Sequence, residues 1–324
     1  MRTLSQQMHR THAAALMITA AALYLLLTVG YDDGLPPQGE QGLCLPPPAL
    51  WPLPRWCDIF GGIVLNALML FVMALINKAF NVLRSNTRLQ LGLFAIMSAA
   101  VPRLVLNVNS GILLALGVNV AIFLLFSCYD NPGASRRVFL AFLLMSVGAA
   151  MQYSFVVFVP VMWVVTAQMR IFSLRTFMAS VFGLLTPWII LLGFGIVGPG
   201  DIHLPEVYGI FSTFAEDSAE YLLIITVFIS FMLFVAIALN LSRTIAYNAR
   251  ARAFNGALTV TAIVSIVAIT VNYNNLLAYL PLLNVCAAYQ ITHWFVNHRF
   301  EKQYIAVLTI CFIFLMFYVW RMFL

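Results

Sequence analysis

Residues 12–31 read HAAALMITAAALYLLLTVGY, residues 32–33 are Asp-Asp, and residues 34–58 read GLPPQGEQGLCLPPPALWPLPRWCD. The first segment carries no Asp, Glu, Lys or Arg over its length. At about 1.5 Å per residue, a helix of that length reaches roughly 30 Å, the thickness of a hydrocarbon core. It can cross a membrane. Asp32 and Asp33 then stand at the far interface, and a Pro-rich loop holding Cys44 and Cys57 follows them on that side. Arg2 and Arg10 precede the run as they would in a cleaved leader. The run is too long for a leader's apolar region, and Tyr31-Asp32-Asp33-Gly34 is not a small-x-small cleavage site, so a retained first span is expected.

Composition agrees. Of 324 residues, 63% are hydrophobic and 9% charged, and the mean hydropathy is +0.96. A chain of this length with that balance is expected to be an all-α polytopic membrane protein, residues 1–324 forming one transmembrane domain. The net charge of +6 does not point to nucleic acid, because the Lys and Arg residues stand singly between apolar runs and form no basic face.

Working outward, apolar runs bounded by charges or turn residues give eleven expected spans. They are 12–31, 59–76, 89–101, 112–128, 138–151, 155–167, 177–197, 222–241, 257–271, 276–294 and 305–323. The third, fifth and sixth are shorter than a membrane width. Charge tests the map independently. With the N-terminus inside and the C-terminus outside, fourteen of the seventeen Lys and Arg residues fall on the inner side, leaving only Arg55, Arg103 and Arg321 outside. Nine of the eleven acidic residues fall outside, and only Asp130 and Glu301 inside. The positive-inside bias thus favours this orientation.

Two outer loops are long: 32–58, and 198–221, which contains Asp201, His203, Glu206, Glu216, Asp217 and Glu220. Both are acidic. Long loops on a packed scaffold are where binding and chemistry concentrate. Other outer turns are tight, as at 152–154 and 272–275. The fifth and sixth spans share residues 138–169, which allows roughly 24 Å per helix. Anchored inside by Arg136, Arg137 and Arg170, that hairpin is expected to stop short of the outer interface and leave a depression roofed by the two long loops.

Only Cys44 and Cys57 map to the outer, oxidising side. They are a candidate disulfide across the Pro-rich loop, the alternative being two unpaired thiols. Cys128, Cys286 and Cys311 read as small apolar packing residues. The five histidines are dispersed, and no phosphate loop, dinucleotide fingerprint, nucleophile elbow or HExxH occurs, so no metal and no cofactor are expected. No Asp, Glu, Lys or Arg sits mid-span, which argues against a proton-driven carrier. The polar residues within spans are Asn66, Asn119, Thr186, Asn240, Asn284 and Gln290; interhelical hydrogen bonding is their expected use.

Asp32 and Asp33 are the sharpest catalytic candidates. A carboxylate at the mouth of an outer cavity can deprotonate an acceptor hydroxyl, and a neighbouring acid raises its pKa toward that task. The alternative is an Asp-Asp-Gly turn. Arg103 follows Pro102 at an outer span end and is suited to gripping a phosphate through paired hydrogen bonds; the alternative is snorkelling to lipid headgroups. Arg55, between Trp51 and Trp56, suits an interfacial belt as well as a phosphate. His203 and Glu206 complete the candidate substrate-binding residues.

Two resemblances follow from these residues. The stretches 86–103 and 155–192, above all Arg170-Ile-Phe-Ser-Leu-Arg175 followed by Phe182-Gly-Leu-Leu-Thr-Pro-Trp188, resemble a family of uncharacterised polytopic bacterial inner-membrane proteins. More remotely, a first span ending in an acidic pair, a first outer loop packed on the membrane and short central spans resemble the type-C glycosyltransferase fold, which takes sugars from polyprenyl-phosphate donors. That resemblance implies Asp32 or Asp33 as base and Arg103 at the donor phosphate. The first loop is short and Pro-rich, and neither a convincing second acidic motif nor a C-terminal soluble domain is read in these residues, which departs from the type-C pattern. Three readings result: an inner-membrane protein of envelope biogenesis handling a polyprenyl-linked sugar or similar lipid at the periplasmic face, with membrane lipids and a polyprenyl-phosphate donor as partners; a lipid or small-solute transporter; and a non-catalytic subunit docking envelope proteins.

Overall fold

The computed structural model describes residues 2–29, 42–85, 88–131, 133–198, 200, 220–244, 247–297 and 303–323. Among these residues there is no strand. The helices are α1 (Arg2–Thr28), α2 (Arg55–Phe80), α3 (Leu89–Ala99), α4 (Arg103–Leu106), α5 (Ser110–Phe126), α6 (Ser135–Met151), α7 (Ser154–Gln168), α8 (Leu174–Gly193), α9 (Glu220–Thr244), α10 (Ala249–Val271), α11 (Leu276–Asn297) and α12 (Gln303–Phe323). Each apolar run of the sequence lies on a helix of its own, α4 being an extra turn. Four of them, α2, α8, α9 and α10, are long and apolar enough to cross a membrane, and shorter apolar helices accompany them. This is a helical membrane protein.

Local chemistry sets several boundaries. Asn109 opens α5 by accepting from the Ile112 amide at 2.9 Å, and Asn248 does the same for α10 through Ala251. Ser173 and Thr176 form a reciprocal capping box at α8, each satisfying an otherwise orphaned amide. The third apolar run does not continue as one helix, because Pro102 lacks an N–H and disfavours helical backbone at Val101. The carbonyls freed at this break are taken by side chains from elsewhere. Tyr221 Oη donates to Ala100 O at 2.8 Å, and Asn66 and Asn109 donate to Leu104 O at 3.1 and 3.2 Å. Irregular backbone survives at membrane depth only where such partners exist.

Helix α11 is the axis of the fold. It packs against α3, α5, α9 and α10, and its side chains from Leu276 through His293 are buried all round. A helix apolar on every side belongs in such a position. At the periphery, α8 buries only Thr176, Ser180, Gly183 and Pro187, a stripe of small residues laid against α6; a Cβ at Gly183 would come within 2.6 Å of Phe139 O. Its other face exposes Phe182, Leu185 and Ile189. Large apolar side chains outside and small ones at the contact are what a lipid solvent allows, since association there depends on close approach.

Several helix ends that share a face in the charge map are in contact. Ends assigned to the acidic face meet one another: Arg55 reaches Val29, Asp58 reaches Val108, and Cys44 and Leu45 reach Ala150. Ends assigned to the basic face meet likewise. Asp130 N donates to Met169 O, the Arg84 guanidinium lies 4.7 Å from the Tyr247 ring centre, and Arg250 covers Tyr129 and Phe254.

Candidate functional site

The site lies at the acidic end of the bundle, on the short hairpin α6–α7. These helices have 17 and 15 residues, about 25 and 22 Å by rise. A groove with a cavity volume of about 230 Å³ runs down the outside of the hairpin between α5 and α6. Leu113, Leu116 and Val120 form one wall, Leu144, Val147 and Met151 the other. Val147 is exposed to the exterior, so the groove opens laterally. Its floor is the Phe155 ring, seated against two glycines: a Cβ at Gly117 or Gly148 would come within 2.8 or 2.3 Å of that ring. Helix length led us to expect a depression above this hairpin, roofed by both long loops; the groove is a different feature, lying along its side between α5 and α6.

The first outer loop closes the end of the groove. Cys44 N and Leu45 N both donate to Ala150 O, at 3.3 and 3.0 Å, supplying the carbonyl end of α6 with partners that the helix cannot provide. Gly42 sits so close that a Cβ there would lie 1.8 Å from Leu45 O and 2.9 Å from Met151 O. This approach requires glycine. Pro48 then lies over the groove. The Cys44 Sγ points to Ala150 O at 3.6 Å, and burial raises its thiol pKa, with the Leu45 backbone acting the other way.

Beneath the loop, two tight turns distant in sequence come together. Gln152 Nε2 and Asn275 Nδ2 donate to the same oxygen, Ser154 Oγ, at 3.2 and 2.8 Å. Asn272 Nδ2 donates to Tyr153 Oη, and the Tyr279 hydroxyl is hydrogen-bonded to Ser154, Asn272 and Tyr153. Gln152 and Asn275 are each 1% exposed and Asn272 is 4% exposed. The side-chain oxygens of all three nevertheless have no hydrogen-bond partner. Gln152 belongs to the groove wall as well. The apolar groove therefore meets the buried polar cluster at one residue, Gln152. Burial raises the pKa of Tyr153 and of Tyr273 above the ordinary 10.0; for Tyr153, the neighbouring Tyr279 adds to the rise.

The residues singled out from sequence are placed as follows. Asp32, Asp33, His203 and Glu206 lie outside the described residues, as does nearly all of the second outer loop. Arg103 opens α4 and is half-buried. Arg55 Nη2 donates to Val29 O at 3.5 Å, placing its charge at the carbonyl end of α1, where a cation is favoured. Cys44 and Cys57 are not joined: both are free thiols, Cys44 being turned onto α6 and Cys57 lying in the first turn of α2. Asp58, read from sequence only as a loop boundary, is a strap. Its carboxylate accepts from Val108 N at 2.7 Å and from Asn107 Nδ2 at 2.8 Å. Among the described residues, no group of three His, Cys, Asp or Glu side chains could hold a metal.

Of the polar residues within spans, Asn240 and Gln290 tie helices. Asn240 Nδ2 donates to Gln290 O and Oε1, and Gln290 Nε2 donates to Asn255 and Thr259, linking α9, α10 and α11. Asn284 donates to Ser98 Oγ at 3.5 Å, whereas Asn119 and Thr186 bond their own helices. The polar pole was missed because Gln152–Ser154 and Asn272–Asn275 each look like an ordinary turn. The one sequence signal was the amide richness of Asn272-Tyr-Asn-Asn275. No family model, curated protein or solved structure matches this chain.

Proposed function

We propose that the chain is an eleven-span protein of the bacterial inner membrane, N-terminus cytoplasmic and C-terminus periplasmic, that binds a long-chain lipid of envelope biogenesis at the periplasmic face. The observation that carries this is the groove. It is apolar along its length, opens sideways toward the membrane, and reaches Gln152 under the first outer loop. Its volume is below the roughly 300–1,000 Å³ of sites that enclose a whole small ligand, so it suits a segment of one acyl or isoprenoid chain whose remainder stays in the bilayer.

The finer form of the proposal is a type-C glycosyltransferase-like protein handling a polyprenyl-linked sugar. Asp32 or Asp33 would serve as base on the acceptor hydroxyl, and Arg103 would meet the donor phosphate. What supports it is proximity along the chain: Arg103 opens the α4 turn that leads through Asn109 to Ser110 on the groove wall, and the first loop, which begins at the acidic pair, also carries Pro48 over the groove.

The test is native mass spectrometry of the protein extracted in mild detergent from its own membrane. A retained isoprenoid or acyl lipid in the wild type, lost in Val147→Trp, is expected. Absence of any lipid from the wild type, or retention unchanged by Val147→Trp, would sink the groove reading. Partner proteins without lipid in the same spectra would favour the assembly subunit. For the finer form, Asp32→Asn and Asp33→Asn are expected to abolish sugar transfer while leaving lipid retention intact.

A further inference from the structure

We infer that the polar pole at the end of the groove recognises a free hydroxyl on an uncharged lipid head group. This deepens the lipid-binding reading and rests on it.

A chain moving from the bilayer into the groove leaves one apolar medium for another, so burial supplies almost no preference for the bound state. Selectivity has to come from shape and from the polar end. That end consists of the amides of Gln152, Asn272 and Asn275 with the hydroxyls of Ser154, Tyr153 and Tyr279, tied together by the bonds described above. Within it, the Gln152, Asn272 and Asn275 side-chain oxygens are buried and without partners. Buried polar atoms in folded proteins are nearly always satisfied, by protein, water or ligand. Three lie in this one connected cluster, and Gln152 carries it to the groove wall.

The chemistry of the cluster narrows the ligand. All six side chains are uncharged amides, phenols or an alcohol. A phosphate or carboxylate offers only acceptors, meets buried carbonyl oxygens, and finds no cation in the cluster to offset its desolvation. Among the described residues, an ammonium meets no carboxylate in the cluster either. A hydroxyl both donates and accepts, so it answers an amide whether its oxygen or its NH₂ is presented. Gln152 lines the groove itself, which places the first of these amides where a chain in the groove ends. Pro48 and the latch at Ala150 cover this end.

The experiment uses full-length protein in nanodiscs with three probes: geranylgeraniol, the same isoprenoid with its hydroxyl replaced by hydrogen, and geranylgeranyl phosphate, retention being read by native mass spectrometry. The alcohol is expected to be retained about tenfold more tightly than either of the others, the order of effect of one or two well-made buried hydrogen bonds. Asn275→Leu and Gln152→Leu are expected to erase the preference for the alcohol over the hydrocarbon. Equal retention of alcohol and hydrocarbon by the wild type means that the cluster holds only water and overturns the inference, with no variant needed. A preference for the phosphate overturns it in favour of an anionic head group. Val147→Trp is expected to remove all three probes; if it removes none, the groove reading itself has failed, and the inference falls with it by a distinguishable route.

Discussion

Asn275 donates a hydrogen bond to Ser154 at 2.8 Å across 121 residues of chain, and this bond joins the outer turn between α6 and α7 to the turn between α10 and α11. Gln152 donates to the same oxygen. Ser154→Ala removes the acceptor of two buried amides at once, and a buried polar group left unpaired costs about 1–3 kcal/mol. Thermal unfolding in detergent should report a loss of that order. Ser154→Thr keeps the hydroxyl and should lose less. A wild-type melting temperature for Ser154→Ala would show that the two turns are held by packing alone.

The first loop depends on Gly42. In Gly42→Ala the new methyl meets Leu45 O and Met151 O at distances that real side chains do not adopt, so the latch on Ala150 must open. Cys44 is the reporter. Its thiol is half-buried and its raised pKa keeps it protonated and slow to react. In a Cys57→Ser background, a membrane-impermeant maleimide should label Cys44 several-fold faster when Gly42 is alanine. Equal rates would mean that the loop does not rest on α6.

Asp58 straps the start of α2 to the corner between α4 and α5. Hydrogen bonds to a charged acceptor are worth about 1.5–3 kcal/mol each where they are shielded from water, and this carboxylate is partly exposed. Asp58→Ala should therefore cost about 1–2 kcal/mol after screening, and Asp58→Asn, which keeps one acceptor for Val108 N, should cost less. Denaturation of the two variants side by side checks the order.

Alkaline pH should weaken the outer end of the bundle. The pKa of Tyr153 and of Tyr273 is raised in the folded protein above the ordinary 10.0, mainly by burial of the phenol. The folded state therefore holds the proton more tightly than the unfolded chain. Its stabilising contribution is complete below pH 10 and is lost as pH rises above that value toward the folded pKa. Melting temperatures between pH 8 and 11 should be level at first and then fall, and the fall should be shallower in Tyr153→Phe. A flat profile to pH 11 would contradict the burial of these phenols.

Much of this architecture was legible in the chain. Hydropathy located the apolar runs on separate helices, because a segment that must satisfy its own backbone in lipid has to be long, apolar and helical. Lys, Arg, Asp and Glu mark helix ends because charged groups avoid the hydrocarbon, and several ends that they place on one face are in contact. The hairpin at 138–169 was short by count alone, and a groove lies beside it.

The rest was decided by tertiary structure. Nothing in the runs of α8 and α11 says that one lies at the rim and the other at the axis, because hydropathy reads lipid and protein interior alike. Gly117 and Gly148 make a seat for Phe155 only once α5, α6 and α7 are packed together. The break before Arg103 could be read from Pro102, but the Tyr221 and Asn66 side chains that make it tolerable come from distant helices. Asp58 looked like the edge of a loop until Val108 was beside it, and Gln152–Ser154 and Asn272–Asn275 looked like two unrelated turns. Periodicity and charge are properties of one stretch of chain at a time; the contact between two stretches depends on the shapes of all the side chains between them, and that information exists only in the folded protein.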